Sequence, residues 1–149
     1  MEHTRIKELL KSEEFGKEVI VKGWVRTFRN NQFIAINDGS SINNIQAVVD
    51  FENTSEDILK RITTGAAVRV KGNLVESQGK GQRVEVQATE VSIIGDSDPE
   101  KYPLQPKKHS LEFLRDIAHL RMRTATFNAI FKVRNALSFA IHKFFQEED

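Results

Sequence analysis

Cysteine is absent from the 149-residue chain, and with it go disulfides, thiolate catalysis and cysteine-based zinc sites. Proline is confined to Pro99, Pro103 and Pro106, so the first two thirds of the chain run without it. No apolar stretch is long enough to span a bilayer, and a membrane partner is not expected. The start Met1-Glu2-His3-Thr4-Arg5 has no apolar core of the kind a signal peptide carries, which favours a cytoplasmic protein. Charge of neither sign dominates, with 22 Lys and Arg against 21 Asp and Glu, so any nucleic-acid binding must rest on a local surface rather than on the whole molecule. His3, His109, His119 and His142 fall on separate segments without ligand spacing, and no serine, histidine and acid arrangement suggests a hydrolase.

What is present is alternation. Thr4 is placed to cap a short helix through Lys11 that carries Ile6, Leu9 and Leu10 on one side, a lid packed on the strands after it. From Glu18 to Phe28, Val19, Val21 and Val25 point one way and Lys22, Trp24 and Arg26 the other, with Gly23 marking a bend. Asn30-Asn31 predicts a tight hairpin into a second strand, Gln32 to Asn37, with Ile34 and Ile36 inward and Phe33 and Ala35 outward. Asp38-Gly39-Ser40-Ser41 is a turn. A third strand, Ile45 to Phe51, sets Ile45, Ala47, Val49 and Phe51 against Gln46, Val48 and Asp50, so Phe33 and Gln46 share a face. Ser55 caps a helix with Glu56 and Asp57 in its first turn and Gly65 beyond its end. A fourth strand, Ala67 to Glu76, and a fifth, Gln82 to about Ile94, are joined by Gly79-Lys80-Gly81; Val84, Val86 and Ala88 alternate there with an outward Glu85 and Gln87. The fold expected is mainly β: a five-stranded OB-fold barrel with an N-terminal helix and a helix between strands three and four, a type of barrel whose open face commonly binds oligonucleotides. Other small barrels are compatible with the same pattern.

The outward residues suggest a nucleic-acid surface. Phe33 can stack an unpaired base, or be a ring covered by the N-terminal helix. Gln46 offers a donor and an acceptor to a base edge, or is simply solvated. The Glu85 carboxylate repels phosphate yet can accept from a base amino or imino group. Lys22 and Arg26 are generic phosphate contacts, with Lys80 and Arg83 weaker ones, and Trp24 is read as packing at the barrel rim. Gly79-Lys80-Gly81 lacks the strand-loop-helix context of a nucleotide loop.

The three prolines mark a connection. Beyond them Ser110 to about Ala118 predicts a short helix, and Thr124 to Glu147 a long one with Phe127, Ile130, Phe131, Leu137, Ile141, Phe144 and Phe145 near one face. That much apolar surface calls for a partner, and the chain reads as cut short. The division expected is residues 1–98 for the barrel, 99–123 for the hinge and 124–149 for the start of a second domain.

Gly23-Trp24-Val25-Arg26-Thr27, Phe33-Ile34-Ala35-Ile36-Asn37-Asp38-Gly39-Ser40, Ile45-Gln46-Ala47-Val48-Val49, the stretch Tyr102 to Arg115, and His119-Leu120-Arg121-Met122-Arg123-Thr124 resemble the start of class II aminoacyl-tRNA synthetases of the aspartyl, asparaginyl and lysyl subgroup. Ala129 through Phe145 is similar to the long helix that opens the class's first signature motif. Within the subgroup, Asn37-Asp38-Gly39-Ser40 looks like the asparaginyl members. Two positions depart from the pattern: Met122 replaces a common proline, and Phe28 stands where arginine is frequent. The resemblance implies an anticodon-binding barrel in which Phe33 and Gln46 hold the central anticodon uridine, Arg29 lies near the first anticodon base and Glu85 contributes a carboxylate. It implies an ATP- and magnesium-dependent ligase that is a homodimer when intact, with tRNA as partner. The second and third motifs, which carry the ATP-binding arginines, do not occur in these 149 residues, so this chain itself is expected to hold no cofactor and to bind the anticodon loop without catalysing. A single-strand-binding or interaction barrel, or the same part of an aspartyl enzyme, are the alternatives.

Overall fold

The structure is a computed structural model describing residues 2–79 and 81–148. The chain divides into two compact units, Met1–Lys107 and Lys108–Asp149.

In the first unit five strands, β1 (Glu18–Arg29), β2 (Phe33–Asn37), β3 (Ile45–Val48), β4 (Ala67–Glu76) and β5 (Val84–Gly95), close a barrel in the order β1-β2-β3-β5-β4. All neighbours are antiparallel except β3 and β5. β1 serves both halves, pairing with β4 over Glu18 to Trp24 and with β2 over Trp24 to Arg29. Gly23 lies at this changeover, where a Cβ would stand 2.6 Å from the Asn37 carbonyl oxygen. Val21, Val25, Ile34, Ile36, Ile45, Ala47, Val70, Leu74 and Val86 fill the interior almost without exposure, as period-two alternation requires.

Strict alternation is broken at three bulges. One extra residue, Arg26, sits in β1 between the pairs Val25↔Ile36 and Thr27↔Ala35. The insertion reverses the phase beyond it. Phe28 therefore packs on the core opposite Ile34, and Arg29 comes to the outer surface opposite Phe33. In β5, Thr89 and Ile94 are the extra residues of two further bulges. At the first, β4 contributes Gly72, where a Cβ would collide with the Gln87 carbonyl oxygen.

The β1–β2 hairpin turns through Asn30 and Asn31 with φ of 55° and 49°, and Gln32 N–H donates to the Arg29 carbonyl at 3.1 Å. Two successive positive φ values define the type I′ turn that suits the twist of adjoining strands, and asparagine tolerates them.

The N-terminal helix α1 is a single turn, Ile6–Leu9, whose buried Ile6 and Leu9 join the core. Thr4 does not cap it: the Thr4 N–H donates to Ile20, and no side chain of the local segment serves as cap. The turn after β2 supplies the acceptors instead, Asp38 Oδ2 for Ile6 N–H at 2.9 Å and Ser40 Oγ for Lys7 N–H at 3.0 Å. Ser55 does cap α2 (Glu56–Arg61), accepting from Ile58 N–H. Phe51, expected inward, is 51% exposed. β3 ends at Val48 because Asp50 takes over the chain: its carboxylate accepts from Glu52 N–H and Asn53 Nδ2, and its carbonyl from Thr54. The Asn53 hydrogen bond holds the Asp50 carboxyl below its ordinary value.

The segment after β5 is tied to this unit through Asp96, Ser97 and Tyr102. Arg61 grips Asp96 with two hydrogen bonds of 2.7 and 2.9 Å, Thr63 Oγ1 donates to Ser97 at 2.6 Å, and the Tyr102 ring lies over Gly65, whose φ is +89°.

In the second unit, Ser110 caps α3 (Leu111–Asp116), a 3-10 turn spans Arg121–Arg123, and Thr124 caps α4 (Ala125–Glu147) by accepting from Phe127 N–H. The Arg121 guanidinium lies over the rings of Phe127 and Phe131 at 5.0 and 5.7 Å. Phe127 is buried, whereas Ile130, Leu137, Ile141, Phe144 and Phe145 are exposed along the stripe it begins. At 3.6 residues per turn Val133 joins that stripe and Phe139 stands apart from it.

Candidate nucleic-acid interface

A cleft of about 400 Å³ opens on the barrel's outer surface, lined by Arg29, Asn30, Phe33, Gln46 and, from the β4–β5 hairpin, Gly79, Gly81 and Gln82. The I′ turn and the bulge at Arg26 put Arg29 directly across from Phe33. Phe33 in turn faces Val48, with Gln46 two residues back along β3. Phe33 is half-buried and not part of the core cluster, and no residue of α1 lines the cleft. The ring is therefore not covered by the N-terminal helix.

Behind the cleft lies Glu85, and here the sequence expectation is corrected. Its phase along β5 is outward, but it is 7% exposed and held among four donors. Oε2 accepts from Gln46 Nε2 at 3.2 Å, Ser77 Oγ at 3.0 Å and Gln82 Nε2 at 3.2 Å, and Oε1 accepts from Gln87 Nε2 at 3.3 Å. A carboxylate is acceptor-only when ionised, so it draws the amide NH2 groups of Gln46 and Gln82 toward itself. The parallel pairing Gln46↔Glu85 between β3 and β5 brings these side chains together across 39 residues of sequence.

The remaining sequence candidates stand elsewhere. Arg26 is the half-buried bulge residue, and neither it nor Lys22 lines this cleft. Lys22 borders a different depression with Trp24. The Arg83 guanidinium donates to the Leu10 and Ser12 carbonyls at 3.2 and 2.6 Å, just past α1. Lys80 lies outside the described residues. Sequence reasoning missed Ser77 and Gln82, whose approach to Glu85 depends on how the β4–β5 hairpin folds back; no local pattern signals it.

A closed five-stranded barrel with an aromatic ring, an arginine and amides on its outer cleft has the makings of an oligonucleotide binder. The model of the OB-fold nucleic acid binding domain family matches residues 19–94, and the chain belongs to that family. Its curated relatives include asparagine–tRNA ligases. That of Parabacteroides distasonis is 57% identical over 99% of this chain, and that of Bacteroides fragilis 57% over 97%. This chain spans about a third of their length, 32% in each case. Among solved structures, the asparaginyl-tRNA synthetase from Pyrococcus horikoshii matches 99% of this chain and 36% of its own, with a TM-score of 0.81 and 27% identity.

Proposed function

We propose that this chain is the anticodon-reading part of an asparagine–tRNA ligase. The observation that carries the reading is the cleft in which a half-buried Phe33 stands between Arg29 and a Gln46 whose amide is held by Glu85. Phe33 stacks on the middle anticodon base. The Gln46 carbonyl accepts from that base's imino group, and uridine is the pyrimidine that carries such a donor. Arg29 stacks on or pairs with the neighbouring nucleotide, Glu85 fixes the amides behind the base, and Arg26 and Lys22 contact phosphate.

The intact protein, on this reading, is a cytoplasmic homodimer. It activates the asparagine carboxylate with ATP and magnesium as an adenylate and transfers it to a terminal ribose hydroxyl of tRNA. Residues 1–98 form the anticodon-binding domain, 99–123 the hinge and 124–149 the opening helix of the catalytic domain. The part this chain plays in that reaction is to select the tRNA and hold its anticodon loop.

Filter binding with an asparagine tRNA transcript tests the proposal. Base stacking on an aromatic is worth about 1–3 kcal/mol, so Phe33→Ala is expected to weaken binding by roughly 5- to 150-fold. Equal affinity of the variant and the parent would sink the stacking role.

A further inference from the structure

A second depression, of about 450 Å³, lies on the same unit between the N-terminal segment, β1 and the end of β5; Arg5, Lys22, Trp24, Asp38 and Ile94 are among its walls. Its formal charge is net positive, Arg5 and Lys22 against Asp38. Among the described residues neither Arg5 nor Lys22 takes part in an ion pair. The acid in the wall, Asp38, has both oxygens engaged, accepting from Ile6 N–H at 2.9 Å, Ser40 N–H at 2.9 Å and Ser40 Oγ at 2.6 Å.

Lys22 stands directly across the ladder from Arg69, an arrangement of like charges that destabilises a sheet. Glu90 already engages Arg69 at 2.8 Å, and Glu18 engages Lys71 at 3.0 Å, so Lys22 is left facing the depression without an acid of its own. Beside it the half-buried Trp24 offers an aromatic surface, and Ile94, the extra residue of the last bulge, is 59% exposed.

Two cations without an acid partner, lining one depression with an indole and a branched aliphatic group, match a phosphate ester with its nucleoside attached. We propose that this depression is a second nucleic-acid contact: Lys22 and Arg5 hold a backbone phosphate of the bound RNA while Trp24 and Ile94 meet the adjoining sugar or base. Position along β1 favours RNA over a free nucleotide. Lys22 and Trp24 occupy outer positions of β1, and beyond the bulge Arg29 returns to the outer surface opposite Phe33. The five residue steps from Trp24 to Arg29 span at most ~17 Å at ~3.3 Å each, about five base steps at ~3.4 Å per step. One RNA can therefore reach both places. The identity of that RNA and the phosphate role of Lys22 rest on the proposed function; the depression and the parts of Arg5, Trp24 and Ile94 go beyond it.

Trp24 is the chain's single tryptophan and reports on the site directly. The experiment titrates the whole chain with an asparagine tRNA transcript and, separately, with AMP, following Trp24 emission, and measures transcript binding against KCl concentration for the parent, Lys22→Ala and Lys22→Arg. The expected result is a saturable emission change with the transcript that Lys22→Ala abolishes. The same variant should lower the slope of log K against log salt by about 0.7–0.9, one phosphate contact, and Lys22→Arg should restore it. Because Lys22→Ala also removes the like-charge pair with Arg69, its melting temperature should not fall, which separates lost binding from lost folding. A saturable AMP response with the same Lys22 dependence would keep the phosphate site and assign it to free nucleotides. An unchanged slope together with emission indifferent to both probes would overturn the proposal. Equal binding of transcripts differing at the middle anticodon base would instead count against the Phe33 cleft alone.

Discussion

At the scale of single residues, Glu85 has the largest consequences for its size. It is buried, it ties β5 to β3 and to the β4–β5 hairpin, and it holds the amide NH2 of Gln46. Replacing it by glutamine puts a donor NH2 where donors already converge, and an unsatisfied buried polar group costs about 1–3 kcal/mol. Glu85→Gln is expected to lower barrel stability by about that amount in a denaturant titration, and to relax discrimination between uridine and cytidine at the middle anticodon position. Unchanged stability would mean that the four donors find other partners. The candidates Phe33 and Gln46 were legible in the sequence because outward aromatics and amides on alternating strands are conspicuous. The burial of Glu85 was not, since its phase is the same outward phase as Gln87, and only the parallel β3–β5 pairing encloses it.

At the scale of elements, the strands follow from alternation, while the bulges do not, because one inserted residue leaves no compositional trace. Arg26 illustrates this: counting by twos from Val25 places Arg29 inside and Phe28 outside, and the single extra residue exchanges them. Thr4 looked like a cap by residue type. Asp38 and Ser40 displaced it from a distance in sequence of more than thirty residues, which local rules do not see. The segment after β5 shows the same kind of tie in Arg61–Asp96. The hydrogen bonds from Arg61 hold the Asp96 carboxyl below its ordinary value of 3.8, and Asp96 in turn raises Arg61. A depressed carboxyl contributes stability above its unfolded value and loses that contribution as pH falls through the folded one. Asp96→Asn should therefore melt slightly below the parent at neutral pH, with the difference closing below about pH 3.8. Both groups are exposed, so the neutral-pH difference should be small. A gap that persisted at low pH would show that the tie is not electrostatic.

At the scale of the molecule, one unit has a closed core and the other ends in a helix whose apolar stripe is largely exposed. Leu137 and Ile141 are 59% and 56% exposed, and Phe144 and Phe145 57% and 67%. A contiguous apolar stripe of this kind marks an interaction surface, and the homodimer proposed for the intact protein would cover it. Sedimentation of the chain is expected to show self-association that the double variant Leu137→Asp, Ile141→Asp removes; a compact monomer at high concentration would contradict this. Whether the barrel reads an anticodon, rather than single strands in general, is decided by competition between two asparagine tRNA transcripts differing only in the middle anticodon base. Changing uridine to cytidine is expected to weaken binding to the parent chain by roughly 5- to 150-fold, the ~1–3 kcal/mol of one base-specific contact. Phe33→Ala and Gln46→Ala should both narrow that difference, and equal affinity of the parent for the two transcripts would contradict anticodon reading by this barrel.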